Sequence, residues 1–125
     1  MKNYRQNLGD WGEQLAVKYL AKLGYRILNR KWRVREGEID LIALEGNTLV
    51  FIEVKTRRSH LFGLAVESIT PGKQMKMIKS IQKYLAQHIN AKKRQIRIDV
   101  ILIDLDKNSK IYLTHMKNPV IDCQE

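Results

Sequence analysis

Apolar residues recur along the chain at two spacings, and the switches between them mark out its elements. From Asp10 to Leu23 the apolar residues Trp11, Leu15, Tyr19, Leu20 and Leu23 repeat at helical spacing, with Gly24 at the stop position. Asp10-Trp11-Gly12-Glu13 has the spacing of a capping box, which makes Asp10 the expected cap with Glu13 reaching back. Tyr25 to Val34 reads as a strand, Arg35-Glu36-Gly37 as a turn, and Glu38 to Leu44 and Thr48 to Lys55 as two further strands. A polar, Gly-containing loop is expected from Arg57 to Leu64. Thr70 before Pro71 signals a helix start, and Met75, Ile78, Ile81, Leu85 and Ile89 carry that helix to about Asn90. Ile96 to Asp104 and Ile111 to His115 are the last two strands. The order α-β-β-β-α-β-β describes a single α/β domain over residues 1–125 with a central mixed sheet.

In the two middle strands both alternating sets are apolar: Ile42 and Leu44 on one face, Ile39, Leu41 and Ala43 on the other. Strands of that kind are central and covered on both sides. Charges within them are therefore unexpected, because an unpaired carboxylate is costly to bury. Yet Glu38, Asp40, Glu53 and Lys55 lie there, all away from the turn. A two-residue turn at Gly46-Asn47 places Glu45 opposite Thr48, Asp40 opposite Glu53 and Glu38 opposite Lys55. Opposed residues project to one face with Cβ atoms roughly 5 Å apart. A three-residue loop would scatter the charges over both faces.

Two carboxylates that close cannot both ionise cheaply unless a cation lies between them. Mg²⁺ suits such hard oxygen ligands, with water and substrate phosphate completing its shell. A neighbouring lysine can orient an attacking water and steady charge developing on phosphorus. Glu38, opposite Lys55, is either a plain ion-pair partner or a source of charge for the metal site. Glu13 has a structural role open to it as a capping-box member, and also borders the buried stripe of its helix near Ala16 and Leu20, from where it could reach the sheet.

Charge sharpens this picture. The chain of 125 residues has a formal net charge of +10. Residues 1–35 carry nine Lys/Arg against two acids and residues 56–95 nine against Glu67, whereas residues 36–55 hold five acids and one base. Basic flanks around an acidic centre suit a polyanion such as nucleic acid. Arg57 and Arg58, directly after the second middle strand, are candidate phosphate-backbone contacts. Lys73 and Gln74 are further candidates, in the first turn of the second helix, where backbone N–H groups favour phosphate. Each of these can also be an ordinary solvated side chain, as can Lys76, Lys79 and Lys83. Trp11, Trp32, Met75 and Met77 read as core.

Composition removes other classes. Hydrophobic residues at 44% and charged residues at 29% are those of a folded protein rather than a disordered one. The apolar runs are too short for a membrane span, and the first residues lack a signal peptide's apolar stretch. Cys123 has no second cysteine to pair with, and His60, His88 and His115 lack metal-ligand spacing. The expectation is a soluble, cytoplasmic protein with no membrane partner. No HExxH, GxSxG or GxxxxGK[ST] motif is present, which removes zinc-protease, serine-hydrolase and P-loop chemistry.

Asp40-x12-Glu53-Val54-Lys55, on adjacent strands after an N-terminal helix, resembles the PD-(D/E)xK nuclease superfamily of restriction-endonuclease-like folds. The segments GEQLAVKYLAKLGYRIL, GEIDLIA and LVFIEVKTR resemble the YraN family of small bacterial proteins, from about Gly9 to Val100. Ile39 rather than proline precedes the aspartate. The resemblance implies a restriction-endonuclease-like sheet flanked by helices. It implies metal ligation by Asp40, Glu53 and the Val54 carbonyl, and a lysine, Lys55, that assists the nucleophilic water. Glu13 matches an acid on the first helix that joins the metal site in some branches. Members that cut act mostly on DNA rather than RNA, some on branched junctions and several as dimers, which leaves a homodimer open here. The expected function is an Mg²⁺- or Mn²⁺-dependent endonuclease hydrolysing phosphodiester bonds of DNA or structured nucleic acid. The alternatives are an inactive nucleic-acid-binding module of the same fold and a basic domain that docks on an acidic protein. The last leaves the strand acids unexplained.

Overall fold

The computed structural model describes residues 3–58, 71–88, 90 and 93–119. The loop expected from Arg57 to Leu64 does not start at Arg57, because Arg57 and Arg58 belong to a strand; the rest of it, His60 included, lies outside the described residues, as do Thr70, Ile89 and Cys123. Helix α1 spans Tyr4–Lys22, strands β1 Arg26–Val34, β2 Gly37–Glu45 and β3 Thr48–Arg58, helix α2 Pro71–Gln87, and strands β4 Gln95–Leu105 and β5 Ile111–Lys117. The sheet is five-stranded in the order β1-β2-β3-β4-β5. Among the described residues only β3 and β4 pair in parallel, and they are the pair that α2 connects. The helices lie on opposite faces, α1 chiefly on β3 and α2 chiefly on β2. This is the expected α/β architecture, in the expected order.

The start of α1 corrects the sequence expectation. Asn3, not Asp10, is the cap: Gln6 N–H donates to Asn3 Oδ1 at 2.9 Å, and Asn3 N–H to Gln6 Oε1 at 3.0 Å. Asp10 and Glu13 sit inside the helix and find partners on β1 instead, Lys31 and Arg30. The helix ends as expected. Gly24 takes φ +91°, and the N–H groups of Gly24 and Tyr25 return to the carbonyls of Ala21 and Leu20.

Two apolar layers sandwich the sheet. On the α1 side Ala16, Leu20 and Tyr25 pack on Leu41, Ala43, Val50, Ile52, Ile101 and Ile103. On the α2 side Met77, Ile81 and Tyr84 pack on Ile39, Ile42, Leu49 and Phe51. β2 and β3 are thus covered on both faces. Trp32 joins the second layer, edge-on to Tyr84 with ring centroids 5.2 Å apart, and Trp11 packs partly buried against the first. Met75 and Ile78, expected in the buried stripe of α2, are exposed. Met77 is buried as expected, and Ser80 joins it, the serine hydroxyl donating to the Lys76 carbonyl at 2.9 Å.

A second correction bears on the site. Ile39 shares a layer with Ile42, not with Leu41 and Ala43, so strict alternation fails between Ile39 and Leu41, at Asp40. The neighbouring strand shows the same fault. Arg30 and the consecutive Lys31 both reach α1, while Trp32 turns to α2. Lys31 has φ +51°, a left-handed conformation that interrupts the pleat.

Candidate metal and nucleic-acid site

The register expected for the central hairpin is the one present. Gly46 supplies a positive φ of 58°, Glu45 faces Thr48, and pairing continues to Leu41 opposite Ile52. There the ladder stops. One step further along are Asp40 and Glu53. The Val54 N–H donates to Asp40 Oδ2 at 2.8 Å, so a side chain takes a main-chain donor where β2 and β3 part. The two carboxyl groups are close enough for each to act on the other's protonation.

Their protonation follows from that enclosure. Burial and then the Glu53 charge push Asp40 up to about 8, against the opposing Val54 N–H. Burial also raises Glu53, opposed by its hydrogen bond to Asp40 and by the charges of Lys73 and Lys55. Lys73, brought in by the first turn of α2, and Lys55, on Glu53's own strand, therefore both act on the carboxyl pair. Gln74 follows Lys73, half-buried. Glu13 is only 6% exposed and lies 3.6 Å from Arg30 Nε. Burial first and Asp40 second raise its pKa, which places α1 within electrostatic range of the pair.

Other expected contacts are redistributed. Glu38 pairs with Arg33 at 3.2 Å rather than with Lys55 because β2 and β3 have separated by that point, and its charge adds to the raising of Asp40, Glu53 and Glu13. Arg57 lies 3.4 Å from Asp104, its cross-strand neighbour on β4, and Arg58 Nε donates to the Tyr4 hydroxyl at 2.8 Å. The two arginines thus engage different partners, one on the sheet and one at the start of α1. Beside them opens a groove of about 600 Å³, bounded by Tyr4, Leu8 and Gly9 of α1 and by residues 54–58 of β3.

The donor set has a definite character. Among the described residues no three His, Cys, Asp or Glu side chains form a metal-ligand cluster. What the fold provides is a carboxyl pair beside main-chain and lysine groups. That set fits a hard cation whose shell is completed by water and phosphate, and not a tetrahedral zinc centre.

A polar network unremarked in the sequence pattern sits under α1. Asp99 is fully buried and accepts from Arg97 Nε at 2.8 Å, Arg97 Nη2 at 2.9 Å and the Asn118 N–H at 3.1 Å. His115 Nε2 lies 2.8 Å from Asp99 Oδ2, and Nδ1 lies 2.9 Å from the Tyr19 hydroxyl. With a hydrogen on Nε2 the ring donates to Asp99, and its Nδ1 meets the Tyr19 hydroxyl. Arg97 also donates to Glu45 at 2.6 Å and to the Tyr25 hydroxyl at 2.8 Å. This guanidinium holds the Glu45 carboxyl down at about 2, while burial and the Glu45 hydrogen bond push Tyr25 up to about 12. Every oxygen of Asp99 is engaged, so the cluster fastens β4 and β5 to α1 and the hairpin. The visible signal was Arg97-Ile98-Asp99, charges at strand spacing before the apolar run Val100–Ile103.

Comparison with known proteins supports the family expectation. The chain is 44% identical to a UPF0102 protein of Caldicellulosiruptor saccharolyticus over 115 residues, covering 91% of this chain and 97% of that one. It is 51% identical to a UPF0102 protein of Chlorobium limicola over 100 residues, covering 80% and 77% respectively. It is 44% identical to one of Roseiflexus castenholzii over 105 residues, covering 84% and 85%. A solved structure titled "Crystal structure of SSO0001" aligns with 95% of this chain at 19% identity and a TM-score of 0.39, and the chain spans 55% of that chain's length. The model of the uncharacterised protein family UPF0102 matches residues 12–103, a span that holds Glu13, Asp40, Glu53 and Lys55 together, and the chain belongs to that family.

Proposed function

We propose that this protein is a nuclease that hydrolyses phosphodiester bonds of nucleic acid with the help of Mg²⁺ or Mn²⁺. The observation that carries the reading is the pair of buried carboxyl groups, Asp40 and Glu53, one step beyond the point where β2 and β3 separate, with Asp40 held by the Val54 N–H at 2.8 Å and Lys55 and Lys73 acting on Glu53. Without a cation, such a pair is held together only by sharing a proton. Asp40, Glu53 and the Val54 carbonyl would hold the ion, which when bound activates water and stabilises charge on phosphoryl oxygens.

The remaining roles belong to the chain's own groups. The Lys55 ammonium donates hydrogen bonds that orient the attacking water and steady negative charge on the phosphoryl oxygens. Lys73 offsets the charge of Glu53 and meets the phosphate from the α2 side. Glu13, buried on α1 and tied to Arg30, supports the pair from the opposite layer. The formal charge of +10 attracts the polyanionic substrate, DNA ahead of RNA.

The test is Mn²⁺ binding by calorimetry on the parent, Asp40→Ala and Glu53→Ala, alone and with a DNA oligonucleotide, followed by cleavage assays on duplex, single-stranded and branched substrates. Uptake by the parent that both substitutions abolish, together with cleavage lost in Asp40→Ala while DNA binding persists, supports the nuclease. DNA binding with no metal uptake in any protein, with or without oligonucleotide, would replace it with a binding module of the same fold.

A further inference from the structure

We infer that the groove between the start of α1 and the end of β3 is a subsite for an unpaired nucleotide beside the reacting phosphate, an inference that rests on the nuclease reading. Val54 and Lys55 line both the carboxyl site and this groove, so a strand lying in the groove continues into the site. The charged residues along it, Lys55, Arg57 and Arg58, are all cationic. The capping box of Asn3 and Gln6 takes up two of the N–H groups at the start of α1, and Arg57 is paired with Asp104, so the attraction for phosphate is assigned to Lys55 and Arg58.

Tyr4 is the second feature. It lines the groove, is 60% exposed, and its hydroxyl is held by Arg58 Nε at 2.8 Å. A fixed, exposed aromatic ring beside a guanidinium is a stacking platform, the device by which single-stranded nucleic acid is held. A base inside a duplex already has both faces stacked, so only an unpaired base can use the ring. The volume of about 600 Å³ falls within the small-ligand range and suits one nucleotide, not a duplex. Gly9 leaves the groove open, since a Cβ there would meet nothing within 4 Å.

The test uses fluorescence anisotropy in EDTA, comparing a blunt DNA duplex with the same duplex carrying a single-stranded DNA or RNA tail. The parent should prefer a tailed duplex. Tyr4→Ala should weaken tailed binding by about tenfold and leave blunt binding unchanged, while Tyr4→Phe keeps most of the preference. Gly9→Leu, which fills the groove without altering Tyr4, should cause the same selective loss, and thermal unfolding verifies that each variant is folded. If the parent binds both duplexes equally, or both variants keep the tail preference, the subsite is wrong and the nuclease reading stands. If the parent binds neither duplex, the nucleic-acid reading falls with it.

Discussion

Gly12 lies against Thr56 of β3 with no room for a side chain, and replacing it tests how the first helix is held. A Cβ on Gly12 would lie 1.7 Å from Thr56 Oγ1, 2.7 Å from Thr56 Cβ and 2.8 Å from Thr56 Cγ2. Rotating the threonine moves Oγ1 and Cγ2, but its Cβ moves only with the β3 backbone. Gly12→Ala must therefore push the helix off the strand, an overpacking cost of about 1–3 kcal/mol. Against this stands a gain of about 1 kcal/mol from alanine's better helix propensity. Gly9 in the same helix isolates that gain, because its Cβ would meet open space. Urea denaturation should show Gly9→Ala stabilised by about 0.5–1 kcal/mol and Gly12→Ala less stable than Gly9→Ala by about 1–3 kcal/mol. Thr56→Gly removes all three clashing atoms, and the Thr56 hydroxyl it deletes is buried without a hydrogen-bond partner. The double variant should therefore recover about 2 kcal/mol relative to the sum of the single changes. Equal stability of Gly9→Ala and Gly12→Ala, or additive behaviour of the Gly12→Ala/Thr56→Gly pair, would refute the close contact. Glu13 follows Gly12 directly, so a displaced helix should also weaken Mn²⁺ uptake.

Three other outcomes follow from the charged groups. Asp99→Asn removes the buried charge that faces Arg97 and turns one of its two acceptor oxygens into a donor, and chemical denaturation should report a loss of about 3 kcal/mol or more; a loss under 1 kcal/mol would show the network to be dispensable. Arg97 depresses Glu45 to about 2 from an ordinary 4.5, so the pair's contribution is complete above pH 4.5 and disappears as pH falls towards 2. Glu45→Gln should flatten the pH dependence of unfolding in that window, and an unchanged slope would count against the pairing. Asp40→Asn removes one of two carboxyls enclosed together and should raise metal-free stability by about 1–3 kcal/mol, an advantage that Mn²⁺ reverses in favour of the parent. Equal melting temperatures in EDTA would contradict the crowding of the two acids.

The residues that meet locally were legible from their order along the chain. Gly46-Asn47 and the alternation on either side of it set Glu45 against Thr48, and the pairing carries Asp40 to the level of Glu53 without any distant contact. Apolar periodicity marked both helices and all five strands, and Gly24 marked the end of α1, since these depend on backbone rules acting within a few residues. The start of α1 was different. Asn3 with Gln6 and Asp10 with Glu13 satisfy the same capping pattern, and what decides is that Asp10 and Glu13 find Lys31 and Arg30 across the layer. Likewise the fault at Lys31 and Asp40, which sends Ile39 to the α2 layer, shows only when both helices are in place. The partners of Arg57, Arg58 and Glu38, and the convergence of Arg97, Asp99, His115 and Tyr19, belong to the same class. Pairing between adjacent segments is set by local geometry and turn chemistry. Which layer a side chain enters, and which distant charge it meets, depends on packing that only the assembled sheet and helices supply.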